Sequence, residues 1–184
     1  MKTPAIILFL ASLFAVSCRE APMPPSDDEM MQNFITHEAA FNKLKEVVSE
    51  FRYSSCYPPY HPQRMDEQDS LFLKELSEAD RLLLDSLLNV IGSERVHFSG
   101  REKWKEYYGL DTTETIIDLP YYAHGYSIGG TEKYFTHDPR VRRGMTYPIT
   151  EHGDLNEIYR RRYNDTTLCK PIKGDWYIML EHDN

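Results

Sequence analysis

The stretch YYAHGYSIGGTEKYFT, residues 121–136, predicts the β-hairpin around which the fold of this chain is built. Its first part, 121–128, is rich in aromatic and branched residues, and residues 131–136 have the same strand-like character. Gly129-Gly130 lies between the two runs. A pair of glycines in this position is typical of a hairpin turn, because tight hairpin turns need positive φ angles. We therefore predict two antiparallel strands joined at these glycines.

Further strand-like runs lie on both sides of this hairpin. Upstream, residues 95–98 and 115–119 alternate between apolar and polar side chains. Downstream, residues 166–172 and 176–180 are separated by a turn at Lys173-Gly174-Asp175. The C-terminal part of the chain therefore predicts an antiparallel sheet made of hairpins.

The N-terminal part predicts helices instead. Ser26-Asp27-Asp28-Glu29 has the spacing of a capping box, in which the serine caps the helix and the glutamate reaches back to it. A helix is expected from there to about residue 51. Its apolar residues recur at steps of three and four and form one stripe: Phe34, Phe41, Leu44, Val48 and Phe51. This stripe predicts a helix packed on a core.

A second helical stretch begins near Ser70 and offers a new N-cap at Ser77 before it ends at Gly92. Its predicted apolar stripe consists of Leu82, Leu83, Leu87, Leu88 and Ile91. Residues 54–65, with three prolines, predict an irregular loop between the helices. Together these patterns predict one α+β domain over residues 27–184, with two N-terminal helices packed on a C-terminal antiparallel sheet of hairpins.

The first residues have the parts of a secretory signal. Lys2 precedes an apolar run, residues 5–16, that only Ser12 interrupts. A helix needs about 20 apolar residues to span a bilayer, so this run is too short to be a transmembrane segment. Residues 1–17 are therefore predicted to be a signal peptide that is removed.

The end of this signal, Ala15-Val16-Ser17-Cys18, resembles the lipobox of bacterial lipoproteins, although that family favours Leu where this chain has Ala15. The resemblance implies cleavage before Cys18 and a diacylglycerol on its thiol. Arg19, in place of the aspartate that retains such proteins in the inner membrane, implies the outer membrane, on its periplasmic face or at the cell surface. The alternative is an ordinary signal peptide with a chance cysteine. The proline-rich residues 18–26 are interpreted as the lipidated cysteine and an extended tether.

The charge of the chain bears on its partners. The formal net charge is −8, and removal of the signal takes away only Lys2 among the charged residues. An acidic protein is disfavoured as a nucleic-acid binder and as a protein that adheres to anionic lipid by its overall charge. Lipid on Cys18 would therefore have to supply the membrane affinity.

Two cysteines remain once Cys18 is assigned to lipid. In an oxidising compartment an even pair predicts a disulfide, here between Cys56 and Cys169. The alternative is two buried free thiols.

Candidate catalytic residues are few. Gly125-Tyr126-Ser127-Ile128-Gly129 matches the pattern of a hydrolase nucleophile elbow, and His152 with Asp154 places an imidazole near a carboxylate. A strand-rich run follows Ser127, where the elbow requires a helix. None of the seven histidines has the spacing of a metal motif, so we predict neither a metal nor a cofactor.

A ligand-binding surface is the other candidate. If residues 159–163 are extended, Tyr159, Arg161 and Tyr163 share one face, which suits an anionic or sugar ligand. The alternative is that the arginines pair with the acidic helices. The stretch from Tyr163 to Leu180 also resembles the end of some small uncharacterised bacterial envelope proteins.

These observations favour a non-enzymatic envelope lipoprotein that binds a protein or an envelope polymer. One variant is an immunity-type lipoprotein whose acidic surface suits a basic toxin. The alternative function is a small envelope hydrolase that uses Ser127 or a His/carboxylate pair.

Overall fold

The computed structural model describes residues 22–60, 66–99, 115–126, 129–144, 146–161 and 165–183. The helices in this part of the chain are α1 Asp27–Ser49, α2 Glu67–Glu75, α3 Glu78–Ile91, α4 Pro139–Arg142 and α5 Leu155–Tyr159. The strands are β1 Ser55–Tyr57, β2 Val96–Phe98, β3 Ile117–Tyr126, β4 Gly129–His137, β5 Thr166–Lys173 and β6 Trp176–Asp183.

The strands form one six-stranded sheet in the order β1-β2-β3-β4-β6-β5, and every neighbouring pair of these strands is antiparallel. The longer helices precede most of the sheet along the chain. The predicted α+β class, with helices mainly N-terminal and the sheet mainly C-terminal, is therefore confirmed.

Helix α1 begins as its sequence predicts. The Ser26 side chain accepts a hydrogen bond from the Glu29 backbone N–H at 3.2 Å, which satisfies one of the donors left open at a helix start. The helix is kinked at His37, whose φ of −116° lies outside the helical range. All five residues of its predicted stripe are buried.

The second helical stretch is divided in two. Ser77 caps α3 in a capping box with Asp80, and Gly92 ends α3 with a φ of 80°. The predicted stripe is wrong for Leu82, which is 64% exposed, because it lies about 200° around the helix from the buried Leu84. The buried face of α3 consists of Leu84, Leu87, Leu88 and Ile91.

The helices pack on one face of the sheet, here called the inner face. Phe41 of α1 lies with its ring centroid 4.9 Å from that of Phe135 and 5.3 Å from that of Trp176. Ile117 and Leu119 of β3 are fully buried in the same core. Because side chains alternate along a strand, their neighbours point to the opposite, outer face.

Three strand predictions need correction. β1 forms inside the predicted loop, where it adds an edge strand by pairing with β2. β3 is a single strand with an irregularity between Pro120 and Tyr122. Finally, Tyr126 pairs with Gly129, so the two glycines begin β4 and are not the turn. A Cβ on Gly130 would lie 2.8 Å from the His124 carbonyl oxygen, which explains the glycine there.

The predicted disulfide is not formed. Cys56 lies on β1 and Cys169 on β5, at opposite edges of the sheet, and both thiols are free. Five strand spacings correspond to about 24 Å, whereas the Cα atoms of a disulfide lie within about 7 Å of each other. The bridge is incompatible with this strand order.

A buried polar network, here called the N-terminal clasp, consists of Asp27, Lys133, Asn156 and Lys170. The Lys133 Nζ lies 2.7 Å from Asp27 Oδ1 and donates to Asn156 Oδ1 at 3.0 Å. The Lys170 Nζ donates to Asp27 Oδ2 at 2.9 Å. Lys133 is fully buried and Asp27 almost so, and the two charges compensate each other.

The clasp holds the segment that the sequence assigned to the tether. The Lys133 Nζ donates to the Pro25 carbonyl oxygen at 2.6 Å, and the Asn156 amide donates to that of Pro24 at 2.9 Å. The Tyr122 hydroxyl donates to the Pro22 carbonyl oxygen. The tether interpretation is therefore corrected for residues 22–25, which are docked on the domain.

Candidate functional site

A small cavity lies on the outer face of the sheet and is called the outer-face cavity below. Its volume is about 90 Å³. The lining residues combine carboxylates, one arginine, two tyrosines and a few apolar side chains: Ile116, Asp118, Tyr134, Thr136, Asp138, Arg140, Val141, Tyr147 and Met179.

Strand alternation and register bring the polar lining together. Ile117 and Leu119 point into the core, so Asp118 between them points outward. Asp118 pairs with Thr136 of β4, and Tyr134 two residues earlier on β4 pairs with Met179 of β6. The cavity thus lies across three neighbouring strands.

The charges around the cavity are unequal. Arg140 pairs with Asp138, with Nη2 2.7 Å from Oδ2 and Nε donating to Oδ1 at 2.9 Å. Asp118 lines the same cavity, and Glu181 beside it accepts a hydrogen bond from the Tyr134 hydroxyl at 2.7 Å. Among the described residues at this site, one arginine therefore faces three carboxylates. The cavity favours a positively charged group.

The carboxyl of Asp118 is close to its protonation switch. Burial raises the pKa of Asp118 to about 6, and the neighbouring Asp138 and Glu181 charges add to this shift, against a hydrogen bond from Thr136 and the charge of Arg140. Burial, followed by the Glu181 charge, also raises the pKa of Tyr134, which stays a phenol and a hydrogen-bond donor. At neutral pH Asp118 is mostly ionised, and at pH 5 it is mostly protonated.

The size of the cavity limits its ligands. A volume of about 90 Å³ is well below the roughly 300–1,000 Å³ of pockets that enclose whole small molecules. It suits the end of one side chain, such as an ammonium or a guanidinium group. At its rim Tyr147 is 41% exposed, and Ile149, two residues along the chain, is 42% exposed. Exposed apolar residues beside a polar pocket are typical of a protein interface.

The predicted catalytic residues do not meet in the described structure. His152 is exposed. Asp154 caps α5, where it accepts from the Asn156 backbone N–H at 2.8 Å and from that of Asp27, also at 2.8 Å. Asp154 therefore has a structural role next to the clasp. Ser127 lies outside the described residues, as does Cys18.

The predicted Tyr/Arg ligand face needs correction. Tyr159 is the last residue of α5, and a turn follows it, so Tyr159 and Arg161 do not alternate as on a strand. The Tyr159 ring packs 4.8 Å from that of His182, and its hydroxyl accepts from the Thr131 hydroxyl at 3.2 Å. Tyr163 lies outside the described residues.

A second polar cluster on β1 and β2 was not expected from the sequence. Cys56 pairs with His97, and the Tyr60 hydroxyl lies 3.0 Å from His97 Nε2. The Arg95 guanidinium stacks over the Tyr60 ring at 3.5 Å. Burial raises the pKa of Cys56 and lowers that of His97, which favours a neutral thiol and a neutral imidazole. A nucleophilic thiolate paired with an imidazolium is therefore disfavoured.

Metal and membrane features were also considered for the part of the chain that the structure describes. In that part, no group of three or more His, Cys, Asp or Glu side chains is arranged to hold a metal ion. None of its helices combines the length and the apolar character needed to cross a membrane.

The outer-face cavity and the clasp were both missed from the sequence, although each has a local signal. Asp118 alternates with two apolar residues in a strand, and Lys133 occupies a position of the same parity as the core residue Phe135. The alternation shows on which face each side chain lies. It does not show which residues of other strands lie beside them, because that depends on register.

The comparisons with known proteins give a family and no function. A family model described as "Domain of unknown function (DUF4948)" matches residues 23–184. No curated protein and no solved structure matches the chain.

Proposed function

Because the chain belongs to the DUF4948 family, which is defined by a domain of unknown function, we propose a function from the chain's own geometry. The protein is a lipid-anchored component of the bacterial envelope, held in the outer membrane through Cys18. Its domain binds a protein partner by receiving a lysine or arginine side chain in the outer-face cavity. An immunity-type role against a basic toxin is one form of this function.

The observation that carries this proposal is the charge of the cavity. Arg140 is already paired with Asp138, which leaves the carboxylates of Asp118 and Glu181 to attract a cation. A hydrogen bond to a charged group contributes about 1.5–3 kcal/mol, about one to two orders of magnitude in affinity. The formal net charge of −8 would add attraction for a basic partner over longer distances.

The rim of the cavity supports a protein as the partner. Tyr147 and Ile149 are exposed beside it and offer apolar area around the charged centre. Buried aromatic anchors next to charged groups are the usual hot spots of protein interfaces. An envelope polymer of sugars fits less well, because the cavity is too small for a sugar ring together with its hydroxyl groups.

The alternative of a small hydrolase stays a prediction, because Ser127 lies outside the described residues. No described contact favours it: His152 is exposed, and Asp154 serves as a helix cap.

The proposal is tested by photo-crosslinking in intact cells. A photoreactive amino acid replaces Tyr147 at the rim, and a matched variant carries it at Leu82, which is exposed on α3. We expect a discrete protein adduct from position 147 and none from 82. Intact mass of the same material shows whether Cys18 is acylated. Equal adducts from both positions, an adduct of glycan, or no adduct would contradict the binding proposal.

The role of charge is tested in the same assay. Asp118→Asn together with Glu181→Gln should lower the adduct yield by about 10-fold or more, because the cation loses both carboxylates. Glu132→Gln, at an exposed position on β4, should leave it unchanged. In the wild-type protein the yield should fall as the pH is lowered from 7 to 5, since Asp118 becomes protonated over this range.

A further inference from the structure

The N-terminal clasp determines where the chain joins the domain. Pro24 is buried, and three side chains donate hydrogen bonds to the backbone of residues 22–25. The clasp itself contains the buried ion pair of Asp27 and Lys133. Breaking such a pair leaves an uncompensated charge in the protein interior. The docked segment therefore stays on the domain while the domain is folded.

The distance from the proposed lipid anchor to this point is short, and this step rests on the proposed function. Only Arg19, Glu20 and Ala21 separate Cys18 from Pro22. Four residue steps span at most about 14 Å, even when fully extended. The headgroup layer of a bilayer is itself roughly 5–8 Å thick. A domain held this way cannot move far from the membrane surface.

The docked segment also determines which end of the domain lies at the membrane. Asn156, which holds Pro24 and Pro25, belongs to α5, and α5 ends three residues later at Tyr159. Tyr159 contacts Thr131 and His182. These residues lie near the start of β4 and the end of β6. This group of chain ends is called the anchor end below.

Two arginines at the anchor end are available to a lipid surface. Arg160 and Arg161 follow α5 and are exposed. The Arg160 Nη1 lies 3.5 Å from Glu157 Oε1, and both side chains are more than half exposed, so this pair is weak. Asp165 and Asp183 are exposed near the same end. Any contact with an anionic surface therefore depends on the two guanidinium groups and not on the net charge of this end.

We propose that the anchor end of the domain lies directly on the bilayer, with Arg160 and Arg161 contacting the phosphates of the lipid headgroups. Guanidinium groups bind phosphate through paired hydrogen bonds, which suits this contact. The opposite end of the sheet, with the turn between β5 and β6, then points away from the membrane.

Depth-dependent quenching tests this orientation with the mature lipidated protein in vesicles of phosphatidylethanolamine and phosphatidylglycerol. A fluorophore is attached at Asp183→Cys, at the anchor end, or at Lys173→Cys, at the other end of the β5–β6 hairpin. Both variants carry Cys56→Ser to prevent labelling there. Headgroup-bound nitroxide should quench the label at 183 strongly and the label at 173 little, because seven residue steps of strand separate the ends of β5 by about 23 Å.

Two further variants separate the short connection from the arginines. A ten-residue Gly/Ser insertion between Ala21 and Pro22 should remove most of the quenching at 183 while the protein stays on the vesicle. The reversal of Arg160 and Arg161 to Glu should reduce quenching in vesicles that contain phosphatidylglycerol. The same reversal should change it little in vesicles of phosphatidylcholine alone.

The outcomes distinguish the orientation from the anchor. If intact mass shows no acyl group on Cys18, the proposed anchor fails, and the orientation that rests on it fails too. If the protein is acylated but the labels at 183 and 173 are quenched equally, the orientation alone is wrong. If the Arg160/Arg161 reversal has no effect in anionic vesicles, the phosphate contact is wrong.

Discussion

Lys133 is the most informative single residue of this domain, because a fully buried lysine needs its charge compensated. It has Asp27 at 2.7 Å and two oxygen acceptors, Asn156 Oδ1 and the Pro25 carbonyl. A buried pair of this kind contributes little compared with apolar residues of equal size, but the loss of one partner is costly. The clasp therefore matters more for the position of the N-terminal segment than for total stability.

The first prediction concerns this pair. Asp27→Asn should lower the free energy of unfolding by about 3–5 kcal/mol, because Lys133 keeps a charge that the amide cannot compensate. Urea denaturation measures the change. Glu38→Gln is the control, since the ion pair of Glu38 with Lys173 is exposed and should contribute less than about 1 kcal/mol. Equal effects of the two substitutions would contradict the role of the clasp.

The second prediction concerns Asp118. Its pKa of about 6 in the folded protein lies above the ordinary value of 3.8, so the folded state favours the protonated form. The penalty of ionising it is absent below about pH 4 and grows as the pH rises through 6, which lowers stability by up to about 3 kcal/mol. Asp118→Asn should therefore stabilise the protein at pH 8 more than at pH 4. Urea denaturation at both pH values, with Glu132→Gln as the control, measures this.

Helix caps dominate at the scale of elements. α3 begins at the capping box of Ser77 and Asp80 and ends at Gly92, whose φ of 80° suits glycine. Both boundaries follow from contacts within a few residues. The sequence therefore predicts them well, whereas the separate start of α2 at Asp66 was missed because the helical pattern runs on past it.

The third prediction concerns this cap. Ser77→Ala should lower the free energy of unfolding by about 1 kcal/mol, because the Asp80 backbone N–H loses the acceptor that now lies at 3.1 Å. Ser86→Ala in the exposed middle of α3 is the control and should be neutral or slightly stabilising, since alanine is the better helix former. Thermal unfolding followed by circular dichroism compares the two variants. A neutral Ser77→Ala would mean that the cap contributes little.

Strand order decides the behaviour of the cysteines at the scale of the whole molecule. Cys56 and Cys169 lie on the two edge strands, so they cannot form a disulfide within one domain. Cys169 is also fully buried, and burial raises the pKa of its thiol to about 12. A thiol that is both inaccessible and protonated reacts slowly.

The fourth prediction follows from this arrangement. Without reductant, iodoacetamide should add one label to Cys56 in the native protein and a second to Cys169 after unfolding in urea, as read by intact mass. The midpoint of thermal unfolding should be the same with and without a thiol reductant, because no bridge is lost. Protein that takes up no label in urea until it is reduced would contradict the strand order reported above.

The cavity and the docked N-terminal segment lie toward different ends of the sheet. Asp118 is at the start of β3, while the anchor end is formed where β3 and β6 end. Eight residue steps of β3 between Asp118 and Tyr126 correspond to about 26 Å. An anchored domain in the proposed orientation would therefore present the outer-face cavity away from the bilayer, where a protein partner can reach it.

The sequence by itself determined the features that depend on neighbouring residues: the cap and stripe of α1, the cap and end of α3, and the hairpin of β5 and β6. Such features arise from hydrogen bonds and side-chain periodicity within a few positions. Tertiary structure decided what depends on distant residues. It placed Cys56 and Cys169 at opposite edges, brought Asp27 to Lys133, and set Asp118 beside Thr136. Strand order and register are chosen by packing across the whole core, and no short stretch of the chain contains that information.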